Sequence, residues 1–257
     1  MPSLLRRMGR LVLVLCFVCL PAARIGADGS DVFFPEHITV GMLDRGSGEV
    51  LFPPTALCGP FDAGYRFVKG MQFSELIVGI DVLWIELRKD SASLCVEEIA
   101  AWSEYLQHGG SLLLTVSSSR LIEGNHLLEL LGARLRLQAD EHWPTAVAYI
   151  PAPRWREDLA PVHLTEAATL TGVDASVTVF LETTKDGGTV ALGGLETVGR
   201  GQLAVCSGLV FPLCQEDSGF DNGPFLQLLL GWLGTRTKMT LTDERGLSST
   251  TVDNPGF

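Results

Sequence analysis

Positive charge is scarce in this sequence, and so is any compact set of metal ligands. Thirty acidic residues face 19 lysines and arginines over 257 positions, and four of those cations (Arg6, Arg7, Arg10 and Arg24) precede the first acid, Asp28. From Asp28 onward, fifteen cations stand against thirty acids, a formal charge of −15. Such a balance repels phosphate backbones and anionic lipid surfaces, which excludes sequence-independent nucleic-acid binding and electrostatic docking on a membrane. The five histidines (His37, His108, His126, His142, His163) show no ligand spacing, and no CxxC follows residue 27. A structural zinc site uses tight ligand pairs, so no metal is expected. Nor does any apolar run after residue 27 reach the roughly 20 residues that a membrane helix needs. What is present, 46% hydrophobic and 19% charged residues, is the composition of a packed globular chain.

The N-terminus carries a different pattern. Arg6, Arg7 and Arg10 precede the apolar run Leu11 to Leu20, followed by Pro21 and small residues ending Ile25-Gly26-Ala27. These are the three regions of a secretory signal, so residues 1–27 are expected to direct export, with cleavage before Asp28 or retention as an anchor. The expected location is secreted or periplasmic. Four cysteines remain, Cys58, Cys95, Cys206 and Cys214. An oxidising compartment permits disulfides among them, and all three pairings stay open.

Beyond the signal, 28–234 reads as one α/β domain and 235–257 as a polar, disordered tail. Strand signals at His37–Leu43, Tyr65–Val68, Val82–Leu87 and Ser111–Val116 alternate with helical ones, a turn at Phe73–Val78 and helices at Val96–Gln107 and Asn125–Leu131. VLWIEL and SLLLTV have little alternation, as expected of parallel strands covered on both faces. In the first helix Val96, Ile99, Trp102 and Leu106 share a face at three- and four-residue spacing. From Ala133 to about Cys214 short strands and turns predict an antiparallel β extension, with a hairpin at Lys185-Asp186-Gly187-Gly188. Asn222-Gly223-Pro224 then opens an apolar helix through Leu233. The fold expected is flavodoxin-like, a mostly parallel sheet with helices on both faces.

The run Asp81 to Ile85, then Val96-Glu97-Glu98-Ile99, then His108-Gly109-Gly110-Ser111 and Leu112 to Leu114, resembles the class I glutamine amidotransferase-like superfamily. Gly199 to Val205 and Asp221-Asn222 with Leu228 to Leu233 are similar to the closing strand and last helix of its extracytoplasmic, trehalose-utilisation-like branch. The resemblance implies a cysteine nucleophile at the sharp turn after the central strand, served by a later His and Glu. Here that turn reads Ser117-Ser118-Ser119, and no His-x-Glu pair follows near the last strand. The expectation is therefore a non-catalytic domain that binds a ligand or partner protein. The alternative is a serine-dependent hydrolase, although the turn lacks G-x-S-x-G.

Several residues carry two readings each. Ser117, Ser118 and Ser119 lie where a doubly wound sheet presents ligands, as a nucleophile or anion-binding turn, or as a plain helix cap. Asp44 and Glu86, near the ends of two parallel strands, are either a ligand-binding acid and base or solvated acids. Cys95 is either a thiol activated by a helix N-terminus or a disulfide half. Glu216, Asp217, Asp221 and Asn222 form an oxygen-rich loop without EF-hand spacing, either a calcium ligand set or a solvated cap. His142-Trp143-Pro144 and Pro153-Arg154-Trp155-Arg156 combine tryptophan and arginine, the side chains enriched at interaction surfaces, or else pack within the β-rich section. No cofactor is implied.

Overall fold

The computed structural model describes residues 37–43, 65–70, 79–148, 160–210 and 222–244, all within the unit Phe34–Phe257. In chain order the elements are β1 (Ile38–Leu43), β2 (Tyr65–Gly70), β3 (Val82–Leu87), α1 (Val96–Gln107), β4 (Ser111–Val116), a 3-10 turn (Ser118–Arg120), α2 (Leu121–Leu130), β5 (Arg136–Ala148), β6 (Val162–Thr171), β7 (Thr178–Lys185), β8 (Gly188–Val198), β9 (Gly201–Cys206), β10 (Leu209–Val210) and α3 (Gly223–Glu244). Seven strands form one sheet in the order β2-β1-β3-β4-β9-β8-β7, and a three-stranded sheet runs β10-β6-β5. Pairings from β2 through β9 are parallel, and β8 and β7 extend the sheet antiparallel. The parallel part has the 2-1-3-4-5 order of flavodoxin-like folds, with β9 as its fifth strand.

The apolar strands divide their side chains between two cores. Leu83, Ile85 and Leu87 of β3 and Leu112, Leu114 and Val116 of β4 point toward α1 and α2, where they meet Ile99, Trp102, Leu106, Leu127 and Leu128. Val82, Trp84 and Leu113 point the other way, toward Phe225, Leu226, Leu229, Leu230 and Leu233 of α3. The period of two along a strand makes this division, and coverage of both faces explains why neither strand needs polar positions. Each buried Leu or Phe contributes about 1.5–3 kcal/mol.

Local chemistry sets the boundaries. After α1, Gly109 takes φ 92°, and a Cβ on Gly110 would lie 2.4 Å from the Tyr105 ring, so this turn requires both glycines. The β7–β8 hairpin closes through Asp186 and Gly187 at φ 49° and 79°, with Lys185 opposite Gly188. Two positive φ values match the primed turn that twisted strands favour.

Two boundaries differ from the sequence reading. α2 starts at Leu121 rather than Asn125, because the 3-10 turn capped by Ser117 runs directly into it. The last helix continues to Glu244, so residues 235–244 are helical where a disordered tail is expected. Its extension is held at the amino edge of the sheet. The buried Thr237 hydroxyl donates to Ser111 Oγ at 2.7 Å, and Ser111 Oγ donates to the Leu233 carbonyl at 2.8 Å. Residues 71–78, 149–159 and 245–257 lie outside the described residues, as does the signal segment.

Candidate functional site

The site is built where the chain leaves β4 and β9. After β9, Ser207 and Gly208 carry the chain from the large sheet into β10, which pairs antiparallel with β6. β6 thereby lies across the carboxyl ends of β4 and β9. An irregularity in the β5–β6 ladder fixes it there: Gln138 pairs Thr169 and Trp143 pairs Ala167, leaving Ala168 without a β5 partner. Ser207 takes its place, accepting the Ala168 N–H at 2.6 Å and donating its hydroxyl to the Ala168 carbonyl at 2.5 Å. The same hydroxyl lies 2.9 Å from the Leu192 carbonyl of β8, which ties the two sheets together.

Two residues earlier on β6, Glu166 adopts φ 50°, a left-handed conformation unusual for a residue with a Cβ. Its carboxylate accepts a hydrogen bond from the Ser117 hydroxyl. Ser117 is 0% exposed. Its Oγ also accepts the Ser119 N–H at 3.2 Å and lies 2.7 Å from Ser119 Oγ. A hydroxyl offers one proton and two lone pairs. With the Ser117 hydroxyl proton directed at the Glu166 carboxylate, Ser119 is the donor to Ser117, and the Ser117 oxygen is saturated. Ser118 is partly exposed and Ser119 exposed. The serine turn is thus brought together with a residue absent from the sequence-derived candidates. Glu166 is the lone acid of VHLTEAATLT, and that interruption of a strand otherwise free of charged acids is the signal that marks it.

At the neighbouring end of β3, Glu86 is ion-paired with Arg88, with side chains 15% and 10% exposed. Burial pushes the Glu86 carboxyl above the usual carboxylate range, and Arg88 opposes that rise. Glu86 Oε2 is buried with no hydrogen-bond partner among the described residues. Asp44, proposed as its counterpart, lies outside the described residues, as do Arg154, Trp155, Arg156, Glu216, Asp217 and Asp221. Trp143 is placed by its backbone alone, opposite Ala167. Asn222 is buried, and its side chain pairs with both main-chain groups of His163, accepting the N–H at 2.9 Å and donating to the carbonyl at 2.8 Å.

Cys95 and Cys206 are free thiols, the first exposed and the second buried. Cys95 precedes α1, where its N–H donates to the Glu98 carboxylate at 3.3 Å. Burial pushes the Cys206 thiol up, which disfavours its thiolate. Cys58 and Cys214 lie outside the described residues. Among the described residues no three His, Cys, Asp or Glu side chains are grouped to hold a metal ion, and no helix is long and apolar enough to cross a membrane.

No protein-family model matches the chain, and no curated sequence does. Solved structures do. The mmIFT52 N-terminal domain is 16% identical over 77% of this chain and 97% of its own, with a TM-score of 0.55. A Thermoplasma acidophilum protein assigned to GMP synthase is 10% identical over 80% of this chain and 98% of its own, with a TM-score of 0.50. At these identities the likeness is one of fold alone, a mostly parallel α/β sheet with helices and an antiparallel part, consistent with a flavodoxin-like arrangement.

Proposed function

We propose that the chain is an exported, non-catalytic amidotransferase-like domain that binds a partner protein or ligand. The observation that carries this reading is the state of Ser117. The superfamily resemblance calls for a reachable thiolate at this turn, and here a buried serine stands with its hydroxyl saturated by Glu166 and Ser119. A nucleophile has to meet its substrate and shed its proton. Burial denies Ser117 the first requirement, and the lone pairs with which its oxygen would attack are taken up by the Ser119 N–H and hydroxyl. Export rests on the arginine-flanked apolar segment, which predicts a mature chain starting at Asp28 in the extracytoplasmic fraction.

One observation favours the second reading, a serine-dependent hydrolase: Glu166 places a carboxylate on the Ser117 hydroxyl. Two assays separate the readings. The purified chain is incubated with glutamine and ammonia release is followed, and it is also treated with a fluorophosphonate that labels activated serines. The binding reading expects the no-enzyme background in the first and no label on Ser117 in the second. Ammonia above background, or label lost in Ser117→Ala, overturns it in favour of the hydrolase. N-terminal sequencing of the exported protein tests the compartment, and Met1 retained in the membrane fraction turns the signal into an anchor.

A further inference from the structure

α1 has a second row of residues besides its buried one. Val96, Ala100, Ser103, Glu104 and Gln107, with Ile99 at the base, line a groove that Leu130 of α2 closes on the other side. Val96 is 73% exposed and Leu130 46%, and Ile122, eight residues before Leu130 on α2, is 89% exposed. These are three of the five large apolar side chains exposed among the described residues, so the exposure is concentrated on one helical pair. Single exposed valines need no explanation; an apolar groove between two helices has the shape that receives a third.

The charges around the groove specify its occupant. Neither helix contains a lysine or arginine. Of their five glutamates, Glu98 accepts the Cys95 N–H, and Glu123 accepts the Leu94 N–H and pairs with Arg120. Glu97, Glu104 and Glu129 are exposed and have no cation partner among the described residues. An apolar trough lined by Glu104, on two helices that carry two more exposed glutamates, fits an apolar row flanked by lysine or arginine. It disfavours a second copy of this chain, since an isologous contact would set the same acids against one another, and an anionic membrane is repelled for the same reason.

We propose that the α1–α2 groove is the partner surface, and that the partner presents a basic amphipathic helix with apolar side chains at i, i+3 or i+4, and i+7. α1 is 12 residues long, about 18 Å at 1.5 Å per residue, so it accommodates about three turns of such a helix. This deepens the binding reading given above by naming its surface and the class of its partner.

Fluorescence anisotropy of the full chain with a labelled 14-residue peptide, leucine on one face and lysine on its flanks, tests the proposal. Two further peptides serve as controls, one with glutamate replacing lysine and one of scrambled order. Saturable binding is expected for the first peptide alone, weakening several-fold between 50 and 200 mM salt. Val96→Asp/Leu130→Asp is expected to weaken it at least about tenfold. Glu97→Lys/Glu104→Lys/Glu129→Lys is expected to reverse the preference toward the acidic peptide. All these positions are exposed, and unchanged circular dichroism checks that the variants fold. Equal binding of the scrambled peptide, indifference to both variants, absence of binding, or a dimer dissolved by Val96→Asp each overturns the proposal. The ammonia and fluorophosphonate assays read Ser117, remote in sequence from these substitutions. Hydrolysis with groove binding intact removes the non-catalytic reading and keeps the groove, whereas loss of peptide binding without hydrolysis removes the groove alone.

Discussion

Replacing Glu196 with alanine tests how this fold satisfies the backbone between α2 and β5. α2 ends in a left-handed Gly132 at φ 79°, and the Gly132 and Ala133 N–H groups return to the Glu129 and Leu128 carbonyls at 3.0 and 2.9 Å. The next two N–H groups have turned away from the helix. Glu196, on β8 and 2% exposed, receives both: Arg134 N lies 3.1 and 3.0 Å from its two oxygens, and Leu135 N lies 3.2 Å from Oε1. Arg134 Nε adds an ion-pair contact at 3.6 Å, half-exposed on the arginine side and therefore a minor contribution. Glu196→Ala leaves two donors facing a dry methyl group, each costing about 1–3 kcal/mol, so a loss of about 2–6 kcal/mol is expected. Glu196→Gln retains one acceptor oxygen and is expected to lose about half as much. Urea unfolding followed by circular dichroism measures both, the midpoint falling while the slope against urea stays constant. An alanine variant within about 0.5 kcal/mol of the parent, the range of ordinary surface substitutions, would refute the reasoning.

Ser117→Ala is expected to cost about 1–3 kcal/mol in the same assay, because it strips the Glu166 carboxylate of its donor, while Ser119→Ala at its exposed position costs less than about 1 kcal/mol; equal costs would remove the buried hydrogen bond from the account. Asn222→Asp replaces the amide that donates to the His163 carbonyl by a carboxylate that cannot donate, with an expected loss of about 1–3 kcal/mol in urea unfolding at pH 7; no loss would show that the contact is dispensable. Glu86 has a folded-state pKa raised by burial, so its contribution favours folding fully below the unfolded value near 4.5 and is lost as pH rises through the folded value. The parent is therefore expected to gain stability over Glu86→Gln as pH falls from 7 to 5, and a gap that stays constant across that range would contradict the direction.

Elements whose order rests on local signals were legible in the sequence. VLWIEL and SLLLTV read as doubly covered parallel strands, and they pair in register from Val82 opposite Ser111 to Leu87 opposite Val116. Asp186-Gly187 read as a hairpin turn because few residue pairs accept two positive φ values. The α1 spacing separated Ile99, Trp102 and Leu106, which are buried, but it placed Val96 with them, whereas Val96 is exposed at the first turn of the helix. Less legible was the fate of the β-rich second half, which is divided between two sheets. Alternation shows that a segment is a strand and leaves its neighbours open, since pairing is a non-local property. Thr237 escaped for a related reason. A polar threonine in a polar tail gives no local sign that Ser111, 126 residues away, is waiting for its hydroxyl.

The closure of the carboxyl edge follows from side chains that substitute for missing strand partners. Asn222 precedes α3 and bonds to both main-chain groups of His163. Asn125 of α2 does the same to Leu137 of β5, donating to its carbonyl at 2.8 Å and accepting its N–H at 2.7 Å. An asparagine amide has the same donor and acceptor as a peptide group, so each helix acts toward the small sheet as a one-residue strand. With Ser207 on Ala168, strands β5 and β6 are held to the rest of the domain at three separate points. These contacts hold Glu166 in its left-handed conformation, whose cost of about 1–2 kcal/mol has to be met by its surroundings. In turn, the Glu166 carboxylate occupies the one proton that Ser117 has to offer. The same clamps that stabilise the small sheet therefore close the turn after β4 that holds Ser117. Among the described residues, the exposed face of α1 and α2 that carries Val96, Glu104 and Leu130 is the surface on which the proposed binding is best sought.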